Sequence, residues 1–263
     1  MRPACWPIQF YMPIELGYFA MAVVLLGYFV LGTAGFGSAL IMVPLLAWDW
    51  PIAFVVPLVL LIDVPAAVLH TGLNFRQVMW RELPALLPSV MIGALAGIAL
   101  IQWTVGDGLL LVLGLYVIYI GWQGLKGAVT AIRFTALSSH PYGFAMGLVE
   151  TLFGTAGPVV MSWLSQRVSD PFVIRATMPM IIIGLSSIAL GMVGVSGGLS
   201  NWTLWQNFAA LLPFALAGVW LGHEFAKRIS GAVLRPFIYG FLCLSGFALC
   251  ARALRGLYSL LIN

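Results

Sequence analysis

Charged side chains are scarce in this sequence. Asp, Glu, Lys and Arg make up only 8% of its 263 residues, 62% are hydrophobic, and the mean hydropathy is +1.05. Soluble domains carry roughly 25% charged and about 45–50% apolar residues. A soluble fold of this length could not bury so much apolar surface. The composition therefore excludes a soluble protein and predicts a polytopic membrane protein.

Positive charge is also scarce, which excludes nucleic acid as a partner. The 12 Lys and Arg residues are scattered through short loops and form no basic stripe. The sequence pI of about 9.2 therefore does not indicate nucleic-acid binding. The sequence also contains no nucleotide-binding loop.

Cysteine is too rare and too dispersed for redox chemistry. The three cysteines, Cys5, Cys243 and Cys250, form no CxxC motif. Cys243 and Cys250 are seven residues apart and share a helix face. Small buried hydrophobic side chains are the simplest interpretation of all three.

Histidine offers no metal site at the level of sequence. His70, His140 and His223 are far apart in the chain. The segment GHEFAKR at 222–228 resembles HExxH, but residue 227 is Lys, and zinc needs both imidazoles on one helix face. No catalytic pair or metal cluster is visible, so the sequence predicts neither an enzyme nor a cofactor.

Ten apolar segments follow one another along the chain. A helix that crosses the bilayer needs about 20 residues, with a range of about 17–25, and most of the segments meet this length. Three are short and surround two glycine-rich stretches. The ten segments are 15–31, 35–48, 52–70, 83–103, 108–125, 141–154, 158–166, 172–195, 204–225 and 232–254.

A four-residue motif occurs twice in the sequence, each time next to the short segments. GTAG occurs at 32–35 and again at 154–157, an offset of 122 residues (154 − 32). Two longer strings, WRELPALLP at 80–88 and WQNFAALLP at 205–213, share a Trp and the letters ALLP at an offset of 125 (205 − 80). Similar offsets at two separate anchors predict a duplicated unit of about 125 residues.

A glycine pattern extends the second anchor. In its register Gly93 and Gly97 match Gly218 and Gly222. Each pair is a GxxxG motif, which lets membrane helices approach closely. The motif therefore predicts one tightly packed helix in each copy.

The basic residues indicate that the second copy is inverted. Basic residues in short loops mark the cytoplasmic side of a membrane protein. If each GTAG region is counted as a hairpin, most basic residues fall on one side. That side receives Arg76, Arg81, Lys126, Arg133, Arg167, Lys227 and Arg228, and the other receives Arg2, Arg252 and Arg255. Charge thus changes sides between matching loops of the two copies.

The predicted fold is an all-α polytopic membrane protein with eight to ten transmembrane segments. It consists of two inverted-topology repeats, residues 1–130 and 131–263, within one membrane domain. Each repeat contains a broken helical hairpin, at 15–48 and 141–166. Whether these hairpins span the membrane or re-enter it is left open.

The glycine-rich breaks predict an anion site. Inverted repeats with interrupted helices are typical of transporters, and irregular backbone at membrane depth occurs where it lines a cavity or is buried in protein. A short helix that begins after a break presents free N–H groups and a partial positive charge. The plainer interpretation is that small residues only allow close packing. The predicted site residues are Gly32, Thr33, Gly35, Gly37 and Ser38 from the first copy and Gly154, Thr155 and Gly157 from the second.

The same residues resemble a known family. GTAGFGSALIMVPLL at 32–46 is similar to the glycine-rich, apolar, then Val-Pro-Leu-Leu signature of the sulfite exporter TauE/SafE family. LFGTAGPVV at 152–160, followed by DPFVIRATMPMI at 170–181, resembles the second copy in that family. This chain has Thr-Ala where family members usually have consecutive glycines. Its first copy has IAFVVPL at 52–58 in place of the basic-Ala-Thr element.

The resemblance implies a transporter of small sulfur-containing anions, such as sulfite, sulfoacetate or sulfolactate, in the bacterial inner membrane. It also implies that Arg175 and Thr177 contribute to substrate binding. The fork of N–H donors on Arg175 suits a sulfonate group. The alternative is that Arg175 is a cytoplasmic anchor whose long side chain reaches the interface.

Two acidic residues lie within apolar segments, where ionisable groups are costly and often functional. Asp63 precedes Val-Pro, so it either couples transport to protons or accepts hydrogen bonds from N–H groups freed by a kink. Glu150 lies four residues before the second GTAG. It either takes up a proton near the site or caps the broken hairpin.

The sequence therefore predicts a multi-pass secondary transporter that works by alternating access, with export favoured. Its predicted partners are a small anion and the lipid bilayer, and a homodimer is left open. Two alternatives remain. A permease for another small anion, a cation or a metal would use the same fold with paired acidic helices, and an intramembrane enzyme or redox carrier would need a catalytic pair that is not visible.

Overall fold

A computed structural model of the chain describes residues 14–79, 83–103, 106–126, 139–164, 167–168, 170–227, 240, 243–244, 246–247 and 249–256. Several features used in the sequence analysis lie outside these residues. They are the predicted boundary between the halves at 130/131, Cys5, and the basic residues Arg2, Arg81, Arg133 and Arg228.

The described residues form helices joined by short turns, with no strand among them. Each of the first nine predicted segments coincides with a helix to within three residues at either end. The helices are α1 (Ile14–Ala34), α2 (Ser38–Leu46), α3 (Ile52–Leu73), α4 (Leu83–Trp103), α5 (Gly106–Leu125), α6 (Ser139–Phe153), α7 (Gly157–Leu164), α8 (Pro171–Val195) and α9 (Trp202–Ala226). Residues 249–256, which overlap the end of the tenth segment, are also helical.

Four helices in the described part of the chain are long and apolar enough to cross a membrane. They contain the spans Gly17–Ala34, Ile52–Leu73, Val173–Val195 and Trp202–Ala226, whereas α4 and α5 carry the shorter apolar stretches Leu86–Leu100 and Leu110–Gln123. The all-helical membrane fold is thus confirmed. The total of eight to ten segments stays a prediction.

Both predicted helix breaks are present, and glycines with positive φ form them. Gly35 has φ 82° and Gly37 has φ 102° between α1 and α2, and Gly154 has φ 64° between α6 and α7. Glycine adopts this region without the Cβ clash that other residues meet. The chain ends each long helix in the same way, because the N–H of Gly35 bonds Leu31 and the N–H of Gly154 bonds Glu150.

The two GTAG words do not occupy equivalent places at these breaks. The first word ends at its break, on Gly35, while the second begins at its break, on Gly154. The breaks are therefore 119 residues apart (154 − 35), and alignment by the shared letters is three residues out of step. The physical reason is that the break fixes only the position of the glycine that takes positive φ.

The short helix α2 folds back along α1. Gly27 of α1 lies so close to it that an added Cβ would be 2.7 Å from the Met42 side chain and 3.1 Å from the Ser38 carbonyl oxygen. Nearly every residue of α2 is buried. Most of α7 is buried in the same way. The two short helices therefore lie inside the bundle, with their first residues toward its centre.

The GxxxG glycines join the two halves of the chain. Gly93 of α4 lies against the Phe144 carbonyl and Gly97 against Thr151, both on α6. In the same way, Gly218 of α9 lies against α1. Residue numbers rise together along both contacts, so α4 runs parallel to α6 and α9 runs parallel to α1. Each half thus places its GxxxG helix on the first helix of the other half.

We expect Gly93→Ala to destabilise the protein. The added Cβ would collide with the Phe144 carbonyl oxygen, and overpacking costs about 1–3 kcal/mol. Thermal unfolding in detergent measures the effect, with Gly191→Ala as the matched control because nothing lies within 4 Å of its Cβ position. Equal unfolding temperatures for the two variants would contradict the close α4–α6 contact.

We expect Gly154→Ala to lower stability for a different reason. Its Cβ would have space, since the nearest atom is 3.7 Å away on Val56. The left-handed backbone at φ 64° would nevertheless cost an L-residue about 1–2 kcal/mol. Gly72→Ala in α3 also has open space, and its φ is not positive. It should leave the unfolding temperature unchanged or raised, and a Gly154→Ala protein that melts like Gly72→Ala would rule out the described break.

Candidate functional site

A crevice lies where the two short helices begin. It is a narrow space that is partly open to its surroundings. The N-terminal ends of α2 and α7 form two of its walls, and α3, α6 and α8 contribute one side chain each. The lining residues are Gly37, Ser38, Ala39, Asp63, Glu150, Gly154, Thr155, Ala156, Gly157 and Ile182.

Asp63 lines the crevice from the middle of α3. Its side chain is buried, with 2% exposure. Oδ1 accepts a hydrogen bond from the Tyr28 hydroxyl at 2.7 Å and one from Ser38 Oγ at 3.0 Å. The predicted acceptor role is therefore filled by two hydroxyl groups, and not by backbone N–H groups freed at a kink. Ser38 is the first residue of α2, so this hydrogen bond connects Asp63 to the start of a short helix.

Glu150 lines the crevice from α6 and is equally buried. Oε2 accepts a hydrogen bond from the N–H of Ala156 at 2.7 Å, and Oε1 accepts one from Ser186 Oγ at 2.6 Å. Ala156 is the residue directly before α7. Glu150 thus caps the broken hairpin, as one of its two predicted roles required. Its role in proton uptake stays a prediction.

The carboxyl groups of Asp63 and Glu150 have the same two kinds of hydrogen-bond donor. Each accepts one hydrogen bond from the start of a short helix and one from a hydroxyl on a neighbouring long helix. No cationic side chain pairs with either group in the part of the chain that the structure describes. The donors expected to hold an anion are therefore occupied by the protein's own acids, and the crevice is not a bare anion-binding pocket.

Seven of the twelve predicted site residues line the crevice and five do not. Those that line it are Gly37, Ser38, Asp63, Glu150, Gly154, Thr155 and Gly157, and those outside it are Gly32, Thr33, Gly35, Arg175 and Thr177. The three-residue shift between the GTAG words accounts for the first two. Gly32 and Thr33 belong to the last turn of α1, where Thr33 Oγ1 donates to the Val30 carbonyl at 2.9 Å.

Arg175 and Thr177 lie on α8 and bind the backbone of other elements. Arg175 Nη2 donates to the Gly32 carbonyl at 2.8 Å, and Thr177 Oγ1 accepts from the N–H of Met79 at 3.2 Å. Substrate binding by these two side chains stays a prediction.

Histidines that are distant in sequence meet beside Arg175. The rings of His70 on α3 and His223 on α9 are edge to face, with centroids 6.0 Å apart. His70 Nε2 also lies 3.3 Å from the Gly32 carbonyl oxygen. Sequence separation was therefore a poor guide to whether these histidines lie together.

Sequence reasoning missed Tyr28, Ser186, Ala156 and Ile182. Tyr28 had a usable signal, because it lies seven residues before Gly35 and so on the same helix face, two turns from the break. Ser186 had none, since it is followed by another serine, Ser187, that is exposed. Only the packing of α8 against α6 distinguishes the two.

Comparison with known proteins identifies the family. The sequence pattern described as "Sulfite exporter TauE/SafE" matches residues 19–249. The "Probable inner membrane transporter protein TsaS" of Comamonas testosteroni is 37% identical over 193 residues, which cover 73% of this chain and 81% of that protein. The "Probable sulfite/organosulfonate exporter TauE" of Cupriavidus necator is 26% identical over 235 residues, 87% of each chain. No solved structure matches significantly.

These similarities agree with the membrane fold. Both relatives are named as transporters and not as enzymes, and one is named as an inner-membrane protein. A homodimer draws no support from them. The match covers most of the sequence and includes both helix breaks and the crevice between them. The chain therefore belongs to the sulfite exporter TauE/SafE family and is a multi-pass transporter of the bacterial inner membrane.

Proposed function

We propose that this transporter carries small sulfur oxyanions, either sulfite or organosulfonates, out of the cell by alternating access between two inverted halves. The observation that carries the proposal is the crevice in which both short helices begin. Two helix N-termini that meet at one point place two partial positive charges and several N–H donors around it.

The start of α2 is suited to an anion. Its N-cap is Gly37, and no side chain caps it. Ser38 and Thr155 add hydroxyl groups that line the same space. An oxyanion offers several acceptor oxygens to such a set of donors. The anion is proposed to lie between these residues, one from each half of the chain.

The contacts around Gly32 support the inverted arrangement. The third helix of the first half, α3, has His70 near its end, and this residue reaches the Gly32 carbonyl. The third helix of the second half, α8, begins there, because Arg175 of its second turn binds the same carbonyl. Two corresponding helices that end and begin at one place run in opposite directions. Opposite directions of corresponding helices are what the proposed inverted repeat requires.

The relatives support the substrate class and the direction. One of them is named for sulfite and organosulfonates and as an exporter. A negative interior also drives a monovalent anion outward, by about 2.3 kcal/mol per charge per 100 mV. Export therefore needs no other energy source when the anion moves alone.

The two buried carboxyl groups must be neutral when the anion binds. A carboxylate beside an anion in a place of low dielectric repels it strongly, and both Asp63 and Glu150 face the crevice. Protonation removes the repulsion and releases the donors of Ser38 and Ala156 for the anion. Anion binding is thus proposed to take up protons at these two residues.

A cation permease is the second candidate function. Two carboxyl groups that line one crevice, with no cationic side chain paired to them in the described residues, are also what a cation site would need. The two candidates differ in the charge of the ion that is transported and in whether low pH strengthens or weakens its binding.

Purified protein in liposomes is expected to move labelled sulfite and a small sulfonate with saturating kinetics. Ser38→Ala should raise the half-saturating concentration roughly fivefold, because a hydrogen bond contributes about 1 kcal/mol. The exposed Ser187→Ala is the matched control. Flux of divalent cations without flux of any sulfur oxyanion would favour the second candidate.

Sulfonate binding should tighten as pH falls, by about tenfold per pH unit for each proton taken up. A sulfonate keeps its single charge over this range, so the dependence belongs to the protein. The paired variant Asp63→Asn with Glu150→Gln should bind with little pH dependence, while Asp49→Asn, which is exposed, should behave like the unaltered protein. Isothermal titration between pH 5.5 and 8 measures this, and binding that weakens as pH falls would exclude the proposed proton uptake.

A further inference from the structure

We propose that Arg175 and His223, with His70 packed against the His223 ring, form a second anion site, separate from the crevice, that binds one small oxyanion. The three side chains come from α8, α3 and α9 and surround the last turn of α1. None of them lines the crevice. The site does not depend on the proposed function, because it would bind an oxyanion whether or not the protein transports one.

Arg175 carries a positive charge that the described residues do not neutralise. Its guanidinium is half-buried, and the one hydrogen bond that it makes within the described residues is from Nη2 to the Gly32 carbonyl. Nε is buried and has no acceptor, and no acidic side chain in the described part of the chain pairs with it. An unpaired charge among apolar helices is costly, so the guanidinium needs a counter-ion.

His223 supplies a second unmatched polar atom. Its side chain is 8% exposed, and Nδ1 is buried without a hydrogen-bond partner. Its ring lies edge to face against His70, with centroids 6.0 Å apart, and His70 is fully buried. Buried polar atoms in folded proteins nearly always have a partner, which can be a bound ion. Arg175 binds the Gly32 carbonyl, and His223 packs against His70, whose ring reaches the same carbonyl. In the proposed site the two unmatched atoms share one acceptor.

The chemistry of the cluster selects an anion. The guanidinium beside the rings repels a metal ion, and no group of three or more metal-ligating side chains occurs among the described residues. The nearest acid on α9, Glu224, binds Lys227 at 2.6 Å and is partly exposed. Water could occupy the orphan donors but would leave the positive charge of Arg175 uncompensated. An oxyanion does both, since the Arg175 guanidinium and the His223 ring donate to several of its oxygens. The ring nitrogens of His70 already lie against the Gly32 carbonyl and the Asn74 amide.

The cluster of Arg175, His70 and His223 lies on the α1 side of the helix break, outside the crevice. The carbonyl that Arg175 and His70 share belongs to Gly32, three residues before the break at Gly35. An anion held here would lie near the last turn of α1, whereas the crevice anion would lie beyond the break. The two sites are therefore distinguishable by substitution.

The number of anions bound per chain tests the proposal. Purified protein in detergent should bind two methanesulfonate ions per chain at saturation, measured with labelled ligand. His223→Phe keeps the ring shape and removes the donors, so it should lose one of the two. His140→Phe removes an exposed histidine and should keep both. Arg175→Lys keeps the charge but loses the forked donors, and should weaken one site at least fivefold while leaving the other unchanged.

A spectroscopic measurement on the unaltered protein covers the case in which a variant fails to fold. The ¹⁵N resonances of the His70 and His223 rings should shift as methanesulfonate is added, while those of His140 should not. Binding of one anion per chain with no shift of these two rings would overturn the proposal. The proposal would also be overturned if zinc shifted the ¹⁵N resonances of the His70 and His223 rings and methanesulfonate did not. Loss of the crevice anion alone, in Asp63 or Glu150 variants, would leave the second site intact.

Discussion

Two buried carboxyl groups, each held at the start of a short helix, determine how the centre of this transporter is built. A carboxyl group in an apolar bundle needs donors close at hand. Ser38 and Ala156 provide them only because the chain stops one helix and starts another beside each acid. The breaks need glycine at Gly35 and Gly154, since only glycine takes positive φ there without strain. Each buried acid, the helix break beside it and the short helix that follows the break therefore form one structural unit. This unit occurs once in each half of the chain.

This unit changes how an anion site of helix N-termini should be understood. An uncapped N-terminus attracts any anion at all times. In this chain the protein's own acids occupy the same donors, and in the proposed mechanism the site becomes available to an external anion when the acids are neutral. Competition of this kind connects proton uptake to anion binding without a separate proton pathway. It would also account for two acidic side chains in a crevice that we propose to bind an anion.

Much of the fold could be predicted from the sequence, because apolar length and glycine position are local properties. The bounds of nine helices and the existence of both breaks followed from them. The site could be predicted less well. The repeated GTAG letters aligned the halves three residues out of step, which is why Gly32 and Thr33 lie outside the crevice. The partners of the acids, Tyr28 and Ser186, depend on how long helices pack across the bundle, and no local pattern in the sequence encodes that packing.

Anomalous diffraction from crystals of the protein grown with selenite, the selenium analogue of sulfite, tests the central claim most directly. Selenium marks the anion without ambiguity. At a pH low enough to neutralise both acids, the account predicts a selenium peak in the crevice, between Ser38 and Ala156, with the carboxyl groups of Asp63 and Glu150 turned away from those donors. A crevice without selenium at that pH, or one that holds an anomalous cation beside unmoved carboxylates, would contradict it.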